Sequence, residues 1–335
     1  MEIKERIVKL REQMKEKGID IYIVPTADFH QTEYVGEYFK ARKFITGFSG
    51  SAGTAVITKT EARLWVDGRY FIQAAKQIEG TTVEMMKMNQ PGVPTIDEYL
   101  EETLGEGETL GFDGRVVSMG DGLRYKAIVE RKNGKIIYDY DLIDAIWEDR
   151  PPLSREPAFI LEQKYAGETT ASKLARIREY MRNCGANVHV LTTIDDICWT
   201  LNIRGNDIEF FPLVLSYAII TMDRMHLYID ETKLSDEMKE VLAADDVVLH
   251  PYNDIYEDIK AYGEGDCLLL DPVRVNYAMY SNISDKVRKV EERNPEILFK
   301  AVKNPVEIEN MRKAQIKDSV AHVRFMKWLK ENVAR

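Results

Sequence analysis

Arg69 is the residue whose setting points most directly to chemistry. It stands in Asp67-Gly68-Arg69-Tyr70, just after an apolar run, Leu64 to Val66. A guanidinium is a planar fork that binds a carboxylate or bridges peptide carbonyls. Two readings of Arg69 are open at this point: it pairs with Asp67 to hold a corner, or it reaches a ligand. The other candidates are weaker. His30, His189, His226, His250 and His322 are scattered, with no HxxxH or HExxH spacing. His189 and His226 fall in predicted strands and read as structural. Asp195-Asp196 and Asp245-Asp246 are adjacent pairs; on a strand they face opposite ways, and at a helix start they cap. Gly50-Ser51-Ala52-Gly53 lacks the lysine of a phosphate cradle, and no dinucleotide fingerprint follows a strand. Cys184, Cys198 and Cys267 are widely spaced and read as buried free thiols, as in a reducing compartment. Tyr38, Phe39, Phe210 and Phe211 are expected in the core or in packing between domains. No residue is assigned as catalytic, and none as a metal ligand.

The elements that must position Arg69 come next. Gly47 to Gly53 is a glycine-rich turn. Thr54 to Thr58 and Ala62 to Asp67 read as two strands joined by Lys59-Thr60-Glu61, a hairpin. A helix then runs from Tyr70 to Gln77. Arg69 therefore sits at a strand-to-helix corner, where a rigid scaffold presents side chains.

The rest of the chain repeats this plan. Ile3, Ile7, Leu10 and Met14 have helical spacing, ended by Gly18, and Asp20 to Val24 is a buried-type strand. Strands are predicted at 82–86, 109–113 and 135–138, and helices at 95–104 and 118–132. Arg150-Pro151-Pro152 breaks the pattern. After a capped helix, 169–183, the motifs return at an offset of 158 to 167 residues: Gly18–Val24 with Gly185–Leu191, Ala55–Thr58 with Ala218–Thr221, Leu64–Asp67 with Leu227–Asp230, Leu110–Asp113 with Leu268–Asp271. Ordered similarity of this kind implies two copies of one α/β domain, independently packed, each a mixed sheet covered by helices on both faces. The expected boundaries are 1–150, 151–300 and a third piece, 301–335, a long helix opened by Pro305 with apolar positions on more than one face.

Composition bounds the partners. With 335 residues, 44% hydrophobic, the chain holds two sizeable cores. A net charge of −10 disfavours nucleic acid and anionic membranes. No apolar signal segment and no stretch of about 18 apolar residues is visible. The expected setting is the cytoplasm.

The run GFSGSAGTAVIT followed by LWVDGRYFIQAAKQ resembles the N-terminal domain of Xaa-Pro aminopeptidases (aminopeptidase P), in the creatinase/prolidase superfamily, peptidase family M24. Val24-Pro25-Thr26 with His30-Gln31-Thr32-Glu33-Tyr34, Trp199 to Thr221, and Lys303 to Ala321 agree with it in the same order. The resemblance implies two tandem three-layer α/β/α domains of creatinase N-terminal type, with ribonuclease H-like topology, plus a C-terminal helix that opens a catalytic pita-bread domain lying beyond this chain. It implies removal of the first residue from peptides with proline second, by two divalent ions, usually manganese, held by two Asp, one His and two Glu. None of these ligands has a matching position here, so this chain alone is expected to be inactive and to hold no cofactor. In the resemblance Arg69 helps hold the peptide, and the full-length protein is a homodimer. The rival is a non-catalytic protein-binding module of the same fold, like a histone-chaperone subunit.

Overall fold

The structure, a computed structural model, describes residues 1–333. In chain order its strands are β1 (Ile21–Pro25), β2 (Thr54–Thr58), β3 (Ala62–Val66), β4 (Glu84–Lys87), β5 (Thr109–Phe112), β6 (Lys135–Ile137), β7 (Phe159–Ile160), β8 (Val188–Leu191), β9 (Ile203–Arg204), β10 (Ser216–Thr221), β11 (Met225–Ile229), β12 (Val247–His250), β13 (Cys267–Leu270) and β14 (Arg288–Glu291). They form two six-stranded mixed sheets, β4-β3-β2-β1-β5-β6 and β12-β11-β10-β8-β13-β14, and a small ribbon, β7-β9. The two sheets share one order and one pattern of senses. The central strand is antiparallel to the hairpin that follows it and parallel to the next inner strand.

The repetition has local causes. Ile7, Leu10 and Met14 are buried on the helix Ile3–Lys17, and Leu174, Ile177 and Met181 on the helix Thr170–Cys184. These are the same three positions of one helical stripe. Each helix ends at a left-handed glycine, Gly18 at φ 67° and Gly185 at φ 75°, where a Cβ would be strained. Each hairpin turns on a threonine hydroxyl: Thr58 Oγ1 accepts from the Glu61 N–H at 2.9 Å, and Thr221 Oγ1 from the Arg224 N–H at 3.1 Å.

Each half closes its own sheet and its own core, and the two also share a contact that the expectation of independent packing did not include. Equivalent segments meet across a pseudo-twofold axis. Ser118 and Asn276, the N-caps of the helices Met119–Arg131 and Tyr277–Ser281, form an antiparallel bridge. Met119 N–H donates to Val275 O at 2.7 Å, and Tyr277 N–H donates to Val117 O at 2.8 Å. The first half also lends a loop to the second. Phe29, Phe39 and Met119 share a core with Val190, Tyr217 and Leu270. Asn276 Nδ2 donates to Phe29 O at 3.0 Å, and Arg274 donates to Gln31 O at 2.8 Å. Fully buried His30 donates from Nδ1 to Thr192 O at 2.8 Å and accepts at Nε2 from the Tyr252 hydroxyl at 2.5 Å. Burial holds the His30 pKa below its ordinary value, so the ring stays neutral in this seat. The contact was not visible beforehand because these bonds join residues far apart in sequence, which no local pattern encodes.

Gly122 lies where the two halves touch. A Cβ there would meet Tyr277 Cδ2 at 2.1 Å, and Tyr277 is itself packed against Phe112 and Tyr138. In a helix Ala is about 1 kcal/mol better than Gly, but overpacking costs about 1–3 kcal/mol. Gly122→Ala is therefore expected to lower Tm, by up to about 8 °C. An unchanged or raised Tm would mean that Tyr277 yields freely.

The C-terminal helix, Pro305–Asn332, starts from a capping box between Asn304 and Glu307. Its first turns are tied to the second half: Asn304 Nδ2 donates to Ala166 O at 2.8 Å and Asn310 Nδ2 to Lys164 O at 3.0 Å. None of its described residues is buried, and Ile316, Val323, Phe325 and Trp328 stand exposed. The preceding helix, Glu296–Ala301, is held to the second sheet through His189, whose Nε2 lies 3.3 Å from Glu296 Oε2. Burial opposes a charge on His189, but the Glu296 carboxylate outweighs it and holds the pKa above its ordinary value. Both histidines read as structural from the sequence, His189 and His226, lie in strands.

Candidate functional site

The corner after β3 is built on Asp67. Its carboxylate accepts the Arg69 backbone N–H at 3.0 Å, which caps a single turn, Gly68–Tyr70, before the helix Phe71–Ile78. It also takes both arms of the Arg69 fork, Nε at 3.0 Å and Nη2 at 2.8 Å. The Arg69 hydrogen bonds hold the Asp67 pKa below the usual carboxylate range, and Asp67 in turn raises that of Arg69. The Arg69 side chain is nevertheless 68% exposed. The two openings left by the sequence are thus present together: a pair with Asp67, and a guanidinium face turned to solvent.

The glycine-rich turn is clamped beside this corner. Tyr70 and Ser51 share a hydroxyl hydrogen bond of 2.6 Å, and the Gln77 amide donates to Ser49 Oγ at 2.8 Å. A Cβ on Gly50 would fall 2.2 Å from the Phe48 ring and 2.8 Å from that of Tyr70, so only glycine fits. Arg42 lies buried beneath. It donates to Thr26 Oγ1 at 2.8 Å and to the carbonyls of Phe48 and Gly50. With neutral acceptors only, burial pulls its pKa down to about 10. Its charge is spent on holding the turn.

Next to the turn lies a cavity of about 330 Å³, walled by Thr26, Glu33, Tyr34, Arg42, Ser51 and Phe210. Its far wall belongs to the second half. There Asp207, 7% exposed, accepts from Lys233 Nζ at 2.5 Å and from the Leu215 N–H at 2.6 Å. This pair fixes the turn Ile208–Phe211, whose ends bridge. Phe211 packs on Tyr34 with ring centroids 4.9 Å apart, the interdomain packing expected of it. Phe210 is a correction: it is 92% exposed, at φ 66°, on the cavity rim. Of the other expected core aromatics, Phe39 is buried and Tyr38 half-buried.

One feature the sequence reading passed over repeats the corner. Asp113-Gly114-Arg115 follows β5 as Asp67-Gly68-Arg69 follows β3, with the same fork, Nε and Nη2 each at 2.9 Å. Here the pair is packed inside, with Arg115 over the Phe29 ring at 4.4 Å and Asp141 at 3.8 Å. The repeated Asp-Gly-Arg triplet was the available signal. One copy lies at the contact between halves, with Asp113 buried and Arg115 half-buried, and the other faces solvent.

Among the described residues no three His, Cys, Asp or Glu side chains converge to hold a metal ion. A di-nuclear centre therefore does not fit the described residues. Among the described helices none is long and apolar enough to cross a membrane. A polar turn and an aromatic rim thus wall one cavity, and the exposed Arg69 fork stands at the corner that Tyr70 joins to that turn.

Two family models, each described as a creatinase/prolidase N-terminal domain, match this chain, one at residues 6–143 and the other at 149–307. Xaa-Pro aminopeptidase 1 of Dictyostelium discoideum is 37% identical over 99% of this chain and 54% of its own length. A probable Xaa-Pro aminopeptidase P of Sordaria macrospora is 36% identical over 98% of this chain and 55% of its own length. The solved X-prolyl aminopeptidase of Caenorhabditis elegans, described as a cytosolic enzyme with a di-nuclear active site, superposes with a TM-score of 0.94 at 32% identity, over 99% of this chain and 56% of that one. The chain thus spans about half the length of the relatives it matches.

Proposed function

This chain belongs to the creatinase/prolidase family, as two successive copies of its N-terminal domain, and on that premise we propose that it is the non-catalytic N-terminal portion of a metal-dependent Xaa-Pro aminopeptidase. The complete protein releases the first residue from peptides with proline second, in the cytoplasm, as a homodimer. Its reaction uses two divalent ions, taken to be manganese, which we assign to the part of the protein outside this chain. Residues 1–150 and 151–300 restrict access to the cleft, and Arg69 holds the peptide. The helix within 301–335 opens the catalytic domain.

The observation that carries this reading is the extent of the likeness, which runs through both sheets and into the last helix. Two features of the chain support it. The exposed apolar residues of Pro305–Asn332 fit a helix that a further domain covers. The exposed fork of Arg69 fits a surface that meets a peptide rather than one that only holds a corner.

The test compares this chain with the complete protein on a peptide with proline second, in the presence of manganese. The complete protein is expected to release the first residue and the chain alone to release none. Manganese-dependent release by the chain alone would overturn the assignment of the chemistry. An inactive complete protein would favour the protein-binding module instead.

A further inference from the structure

The outer edge of the second sheet carries a pair of imidazoles that neither the fold nor the candidate site uses. His226 lies on β11 and His250 ends β12, the edge strand. His226 Nδ1 and His250 Nε2 are 2.9 Å apart, and both residues are partly exposed. The His250 ring is stacked on Tyr228, with centroids 4.8 Å apart and planes at 24°. Its other nitrogen, Nδ1, lies 3.7 Å from Asp258 Oδ2, and that oxygen also accepts from the Tyr228 hydroxyl at 3.0 Å. At that distance the Asp258 charge, rather than a hydrogen bond, draws hydrogen to His250 Nδ1 and leaves Nε2 free to accept from His226.

The first sheet shows what the same place holds when only a structural link is needed. Val56 pairs with Arg63 as Ile219 pairs with His226. Arg63 joins β3 to its own edge strand through Glu84, with Nε 3.4 Å from the carboxylate, and also meets Glu61 at 3.1 Å. In the second sheet His226 takes the place of Arg63 and Val248 that of Glu84, and the second base, His250, stands two residues further along the edge strand. Two neutral imidazoles need something positive between them: a shared hydrogen, or a metal ion.

From this geometry we propose that His226 Nδ1 and His250 Nε2 chelate a divalent transition metal of the zinc class, with water filling the remaining positions and Asp258 positioning His250. Imidazole nitrogen suits zinc, copper and nickel, whereas magnesium and calcium prefer oxygen. Zinc–nitrogen bonds of about 2.0–2.1 Å in a tetrahedral arrangement set ligand nitrogens about 3.3 Å apart. From the present 2.9 Å the two partly exposed rings must part by a few tenths of an ångström and turn so that both lone pairs meet at the ion. The neighbouring Asp223 and Asp258 favour a cation, and Arg224 opposes it. Burial and His250 hold His226 below its ordinary pKa, which keeps the ring in the neutral form that metals need. The hydrogen now between the rings moves to His226 Nε2, so the step leaves both imidazoles neutral. The bound ion would tie the edge strand β12 to β11, as Arg63 and Glu84 tie β4 to β3.

The test is titration calorimetry of this chain with zinc chloride, alongside magnesium chloride, at pH 7.5. Zinc is expected to bind at one site and magnesium not to bind. His226→Ala and His250→Ala should each weaken zinc by at least about tenfold, while circular dichroism stays unchanged. Zinc should raise Tm for the original chain and not for His226→Ala. No zinc binding by the original chain up to millimolar concentration, or undiminished binding in the His226→Ala/His250→Ala double variant, would overturn the proposal.

Discussion

Lys233→Met is expected to cost the folded chain about 3–5 kcal/mol, because it strands the Asp207 carboxylate in a dry site. Lys233 is 3% exposed, and its Nζ is 2.5 Å from Asp207 Oδ2. Methionine replaces the stem but not the charge. The loss corresponds to a fall in Tm on the order of 10 °C. Adding Asp207→Asn should recover more than half of it, since the second charge is then gone and the Leu215 N–H keeps an amide oxygen as partner. Thermal unfolding of the two single variants and the double variant gives the coupling. A loss for Lys233→Met below about 1 kcal/mol, the range of a solvated pair, would show that water reaches Asp207. Limited proteolysis adds a local readout: the turn Ile208–Phe211 should be cut faster in Lys233→Met, since Asp207 anchors it.

Arg69→Ala in the complete protein is expected to lower kcat/KM for a peptide with proline second by about tenfold or more, with little change in Tm. The structure explains why the two readouts separate. The turn at Gly68–Tyr70 is capped through the backbone N–H of residue 69, which alanine retains. Asp67 loses the fork but keeps that bond. The Arg69 side chain is largely exposed, so little packing goes with it. Arg69→Lys should rescue only part of the activity, because an ammonium replaces a planar fork. Normal kinetics with a lowered Tm would reduce Arg69 to a brace for Asp67. Arg115→Ala is the natural contrast. Its fork is the same, but it lies packed between Phe29, Asp113 and Asp141, so its loss should appear in Tm.

What was legible in the sequence follows from range. Ile7, Leu10 and Met14 mark a helix because their period is local, and the hairpins follow from turn chemistry within four residues. The duplicated plan was legible because a core selects the same residue types at the same places twice. The contact between the halves was not. Met119 meets Val275 through backbone atoms, and every residue type has the same backbone. His30 sits in a polar stretch that reads as surface, and only Thr192 and Tyr252, more than 160 positions away, make it a core residue. The Arg69 corner was legible from a strand, a turn signal and a helix in succession. Phe210 misled because apolar type predicts burial only on average. Its neighbour Phe211 has Tyr34 to cover it, while Phe210 points past the turn.

The loop that the first half lends to the second also sets a timetable for biosynthesis. Phe29 and Gln31 wait for Asn276 and Arg274, which lie 247 and 243 residues later in the chain. At about 5–20 residues per second, a ribosome leaves that loop unpartnered for about 12–50 s. During that interval the nascent first sheet can close around Ile7, Leu10 and Leu64, whose partners are all early in the chain. Phe29, Phe39 and Met119 remain only partly covered, because Val190, Tyr217, Leu270 and the rest of their second-half partners have yet to be made. A chain cut short between the two sheets would carry that patch permanently, making it a substrate for chaperones and a seed for aggregates.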